Sequence, residues 1–102
     1  MADRLILDTK LREILGSSNI YYNPPASVQM KYDAIRYSRK RIENQFASNS
    51  VYVQNDCYEV IAIYRDPDSD LPRKISMLPM CSHDRQYIAD NLYHDVFTIY
   101  NV

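Results

Sequence analysis

The chain has 102 residues, 46% of them hydrophobic and 25% charged, and its formal net charge is −1. That length holds one domain with one core, and that apolar content excludes a disordered chain. No apolar run approaches the roughly 20 residues that cross a bilayer, the charged N-terminal stretch is unlike a secretory signal peptide, and no period marks a repeat array.

Residues 3–15 read as an amphipathic helix, with Leu7, Leu11, Ile14 and Leu15 in one apolar stripe. Asp3 sits where a carboxylate suits the unpaired N–H groups, and Gly16 stands where a helix ends in a positive-φ residue. Residues 19–22 form a short extended piece, and Pro24-Pro25 imposes a polyproline-like stretch. Residues 32–37 alternate as a strand, with Asp33, Ile35 and Tyr37 on one face and Tyr32, Ala34 and Arg36 on the other. Residues 38–50 are polar and lack a clean period, with Ile42 and Phe46 as isolated apolar points; they read as a long loop or arm.

Residues 51–65 resume strand character, clearest from Cys57 to Arg65. Tyr58, Val60, Ala62 and Tyr64 line one face and Cys57, Ile61 and Ile63 the other, so this central strand expects cover on both sides, on one side from its own chain or from another subunit. Residues 66–70 form a turn that opens a short helix. Asp68 or Ser69 is placed to cap it, Pro72 fits its first turn, Leu71, Ile75 and Leu78 face inward, and Pro79 ends it. Two strands, 82–89 and 92–100, flank the turn residues Asp90-Asn91. The order α-β-β-β-α-β-β predicts a single α+β domain over 1–102: an antiparallel sheet with two helices packed on one face.

One glycine and ten tyrosines are the unusual counts. A single glycine excludes the phosphate-cradling loops of the common nucleotide enzymes, whereas tyrosine suits half-buried strands and protein interfaces. Cys57 and Cys81 are expected to be free thiols, with Cys57 a small buried hydrophobe. Cys81 and His83, taken with Cys57 and His94, would make four soft ligands, but their spacing matches no tetrahedral metal pattern. Cys81, His83 and Asp84 are neighbours whose alternation on a strand separates Cys81 from Asp84, and it separates His94 from Asp95. The acids of 66–70 belong to the turn, since the glycine and terminal glutamate of an EF-hand loop are missing. The expectation is no enzyme, no metal and no cofactor.

Residues 1–41 hold eight basic and four acidic side chains, and residues 42–102 hold four basic and nine acidic ones. If that asymmetry survives folding, it favours head-to-tail association. Arg39-Lys40-Arg41, with Lys31 and Arg36 nearby, invites phosphate, and Tyr32, Tyr37 and Phe46 offer stacking faces. A lone basic triplet is nevertheless a common solvated feature.

Two stretches carry a resemblance. Residues 11–37 contain Tyr22-Asn23-Pro24-Pro25 and Tyr32-Asp33-Ala34-Ile35-Arg36-Tyr37 after a helix that ends at Gly16, with Asp33 where proline is usual. Residues 65–100 contain the Asp66–Ser69 turn, Leu78–Ser82 followed by Asp84, Arg85 and Tyr87, and then His94, Phe97 and Tyr100. Phe46-Ala47-Ser48-Asn49 fits between them. In these features the chain resembles the small tail-completion, or tail terminator (neck), proteins of tailed bacteriophages and prophages, similar in outline to the lambda tail terminator. The resemblance implies a structural virion protein that forms a ring, expected to be a hexamer. The ring would cap the tail tube, end its growth and join it to the head connector, with DNA only as passing cargo. It also implies residence at the head-proximal end of the tail after synthesis in the host cytoplasm, and no membrane. Alternatives are a head-closure or tail-tube protein of the same assembly, and a small nucleic-acid-binding or regulatory domain. Candidate interface or channel-lining residues are Arg36, Arg39, Lys40, Arg41, Phe46, Tyr58, Tyr64 and Tyr87. The resemblance brings no catalytic residues.

Overall fold

The computed structural model describes the backbone of residues 4–25, 27, 29–47 and 50–100, and the side chains of those outside 43–55. The expected cap at Asp3 lies outside the described residues. The elements are α1 (Arg4–Leu15), β1 (Ile20–Tyr22), β2 (Ala34–Ala47), β3 (Ser50–Tyr64), α2 (Leu71–Ser76), β4 (Cys81–Ala89) and β5 (Leu92–Tyr100). They form one five-stranded sheet in the order β1-β2-β3-β5-β4. This is the α+β arrangement that the hydrophobic patterning implies.

The sheet is mixed where an antiparallel one was expected, because β1 pairs with β2 in parallel, from Ile20 opposite Ile35 to Tyr22 opposite Tyr37. The cause lies in residues 23–33. Pro24-Pro25 cannot fold back as a tight hairpin, so the chain returns along the sheet before β2 begins. On the way, Met30 and Tyr32 pack against Ile61, Ile63 and Val96. The second face of β3 is therefore covered by this chain's own loop, with Tyr87 and Leu92 completing the cluster.

The other face carries the main core. Ile35, Tyr37, Tyr58, Val60, Ala62, Tyr64, Phe97 and Ile99 meet Leu11 of α1 and Leu71 and Ile75 of α2. Leu7, Ile14 and Leu15 pack at its margin, so the predicted stripe of α1 is the buried one. Gly16 closes that helix at φ 75°, its N–H bonded to the Arg12 carbonyl at 2.9 Å. A polar relay pins α1 to β2: Arg4 donates to the Tyr37 hydroxyl at 3.2 Å, and Tyr37 donates to Asp8 at 2.5 Å. Asp8 also accepts from Arg12 at 2.5 Å.

Helix α2 is shorter than its sequence suggests, ending at Ser76 with Leu78 beyond it. Its N-cap residue is Asp70, which makes no side-chain cap bond, and the Ser69 hydroxyl instead accepts from the Leu71 N–H at 3.3 Å. The β4–β5 turn follows its chemistry: Asp90 and Asn91 take φ 54° and 63°, the paired positive angles of a tight hairpin.

The largest departure is at residues 38–50, expected as a loop. Most of them are strand: β2 and β3 pair from Ala34 opposite Ile63 to Ala47 opposite Ser50. Residues 38–50 are mostly polar and show no period-2 apolar alternation, which is why the pattern was silent. β5 accompanies β3 only as far as Cys57, which lies opposite Arg41, and β1 stops at Tyr37. Beyond that point the two strands run on as a pair for about 20 Å, with no further strand beside them among the described residues, in a molecule 50 Å long and 28 × 23 Å across.

Candidate functional site

The ribbon springs from a basic root. Arg39, Lys40 and Arg41 are exposed, and a register shift between Arg39 and Arg41 divides them between faces. Arg39 pairs with Tyr58 on the helix side, whereas Arg41 pairs with Cys57 on the opposite face and donates to the Tyr100 hydroxyl at 3.3 Å. Arg36 is half-buried on that second face, lining a small pocket of about 120 Å³ with Glu59. Tyr87 also lies there, stacked on His94 at 4.7 Å. The Phe46 side chain lies outside the described residues.

Tyr58 and Tyr64 are a correction. They are 6% and 2% exposed, in the core beneath the helices. They alternate with Cys57, Ile61 and Ile63, and the face they occupy is the one α1 and α2 cover. Their rings serve the interior of the subunit, so the candidate residues whose side chains are described do not converge on one surface.

A different group of side chains does converge. On the helix side of the sheet, beside α2, Asp95 of β5 is only 3% exposed. One of its oxygens accepts from the Tyr64 hydroxyl, and the other faces Nε2 of His83 at 2.9 Å. Gln86 of β4 donates to the Tyr64 oxygen at 3.0 Å. Since a carboxylate only accepts, Nε2 of His83 carries the hydrogen and Nδ1 is left as the ring's open lone pair. Burial, reinforced by the hydrogen bond to Asp95, pushes the Tyr64 hydroxyl up to about 12, so it remains a donor across the neutral range. The cluster lines an open depression of about 460 Å³ together with Pro67, Pro72 and Arg73.

Backbone geometry assembles this cluster. The Asp90-Asn91 turn sets Gln86 opposite Asp95, and a bulge at Asp84 brings His83 opposite Phe97, so His83 and Asp95 become diagonal neighbours on one face. The His83 ring meets Phe97 edge-on at 5.1 Å. Asp84 turns to the other face, where it accepts from Thr98 at 2.6 Å. Cys81, His83 and Asp84 therefore do not act together, as their adjacency implied, and His94 likewise faces away from Asp95. The sequence carried part of the signal: an acid interrupts the apolar face of the last strand, and counting back from the turn pairs it with Gln86 of β4, while the bulge that brings in His83 left no mark.

Chemically the cluster is a fixed imidazole that can take or give one proton at Nδ1. Among the described residues no serine or cysteine is hydrogen-bonded to His83, and no three His, Cys, Asp or Glu side chains gather as a metal site. Cys57 and Cys81 are free thiols, and burial pushes the Cys81 thiol up to about 11, away from reactivity. Among the described residues no helix is long and apolar enough to cross a membrane. No family model matches the chain, and neither curated proteins nor solved structures gave a match.

Proposed function

We propose that this chain is a structural protein of the neck or tail end of a tailed phage, assembling as a ring that caps the tail tube and meets the head connector. The observation that carries the reading is the β2–β3 ribbon. A two-stranded ribbon is marginal in water by itself, and this one leaves its sheet for about 20 Å with no third strand among the described residues. A neighbouring subunit lying along it would supply the missing cover. The motif resemblance adds the kind of assembly, and the α+β order agrees with it. Arg39, Lys40 and Arg41 at the exposed root would then face an acidic neighbour or the DNA that passes through.

The test is the native mass of the purified protein over a concentration series, then with added tail tubes, with negative-stain imaging of large species. A ring with a central hole, alone or on tube ends, is the expected result. A monomer that ignores tube ends would overturn the proposal. Replacing Arg36, Arg39, Lys40 and Arg41 together by Ser should block tail joining, and normal infectious particles would remove these cations from the mechanism.

A further inference from the structure

Burying a carboxylate costs several kcal/mol unless its partners compensate, and an apolar residue at position 95 would suit the surrounding strand. Asp95 is nevertheless nearly sealed, and two of its three network partners, His83 and Gln86, lie exposed at the rim of the depression beside α2. A buried acid that orients an exposed imidazole in a concavity is an arrangement found at binding sites. Arg73 lines the same depression, and its guanidinium makes no ion pair or hydrogen bond among the described residues, whereas its neighbour Lys74 is held by Asp70 at 3.4 Å.

We propose that this depression binds a small organic carboxylate, held by Arg73 and by Nδ1 of His83, with its apolar body against Pro67, Pro72 and Phe97. Arg73 supplies a fixed charge and a planar donor fork. His83 supplies the second contact once Nδ1 is protonated, and Asp95 then balances the imidazolium. The depression is mixed in character, with Pro67, Pro72 and Phe97 lining it beside Arg73 and His83, which fits an amphiphilic acid rather than a bare ion. The exposed Asp66, Asp68 and Asp70 on the adjoining turn oppose a polyanion such as a nucleic-acid backbone.

The test is a titration of the isotope-labelled protein with benzoate, acetate and inorganic phosphate, followed by NMR at His83 and the Arg73 side chain. Benzoate should saturate, with acetate weaker because it lacks the ring. Arg73→Gln should abolish saturation. His83→Gln should weaken binding without abolishing it. Arg73 is exposed and its side chain holds nothing else in place, so R73Q tests binding without testing the fold, whereas His83→Gln also removes a donor from the buried Asp95 and is first checked by its melting curve. Failure to saturate with benzoate, unaltered binding in R73Q, or preference for phosphate would each overturn the proposal. Ring assembly does not enter this experiment, so its outcome is independent of the neck-protein reading.

Discussion

Tyr64→Phe isolates the energetics of the buried network. The substitution keeps the ring, which is 2% exposed, and removes one hydroxyl that both donates to Asp95 and accepts from Gln86. No cavity forms, so the cost is electrostatic. Gln86 is exposed and turns to water, contributing little. Asp95 is sealed, and one of its oxygens loses its only donor. A hydrogen bond to a charged group contributes about 1.5–3 kcal/mol, and the orphaned acceptor keeps its desolvation penalty, so the loss should be about 2–3 kcal/mol. For a domain of this size that lowers Tm by roughly 10 °C or more. Urea denaturation followed by far-UV circular dichroism measures it directly, with an unchanged m-value showing that both proteins unfold the same way. Tyr64→Phe with Asp95→Leu should recover most of the loss, because the unpaired charge goes as well. If Tyr64→Phe alone unfolds within about 0.5 kcal/mol of the parent, the network reasoning fails.

Other expectations follow from the same geometry. Burial, and then the bonds to Asp8 and Asp95, push the Tyr37 and Tyr64 hydroxyls from an ordinary 10.0 up to about 12. Their contribution to stability is whole below pH 10 and is lost as pH rises through the folded values, so an alkaline unfolding curve should fall between those limits. A flat stability profile across that window would contradict it. At Asp8 burial acts to raise the pKa, but the bonds from Tyr37 and Arg12 and the charges of Arg12 and Arg4 outweigh it and hold the pKa below the ordinary 3.8. Asp8→Asn should therefore cost about 1–2 kcal/mol at neutral pH, with the difference from the parent vanishing as pH falls through the lowered folded value. Gly16→Ala meets no atom within 4 Å but keeps φ 75°. It should cost about 1 kcal/mol from backbone conformation alone, and an unchanged melting curve would remove the helix-end argument.

The fold was legible wherever an apolar period reports which face is buried. The stripe Leu7, Leu11, Ile14 and Leu15 and the two-faced β3 identified the helix-covered side, and Asp90-Asn91 identified the last hairpin. Three features had no such signal. Residues 38–50 are mostly polar and carry no apolar alternation. The parallel pairing of β1 depends on the path of residues 23–33, a tertiary matter that Pro24-Pro25 constrains without specifying. The bulge at Asp84 shifts the β4 register by one residue, and it decides which side chains meet Asp95. The cluster was therefore readable down to the pairing of Gln86 with Asp95, but not to the partnership with His83. Tyr58 and Tyr64 were misplaced for a related reason: composition marks tyrosine as an interface residue, while its face on the strand is settled only by where the helices dock.

The edges of the sheet limit how copies of this chain can associate. One edge is β1, three residues long and followed by Pro24-Pro25, which offer no N–H groups to a partner strand. The other is β4, nine residues long, where the bulge at Asp84 breaks the ladder and places Asp84 and the exposed Arg85 on one face. A short edge, a bulge and edge charges are the devices that prevent strand-to-strand aggregation. Sheet extension is thereby disfavoured at both ends. The helix-covered face is filled by α1 and α2, and the centre of the opposite face is filled by Met30 and Tyr32. Among the described residues the β2–β3 ribbon extends past Cys57 with no third strand beside it. If the proposed ring forms, the ribbon is the element through which one copy reaches the next, and its contact is heterologous: the ribbon of one subunit lies on a different surface of its neighbour, as head-to-tail ring closure requires.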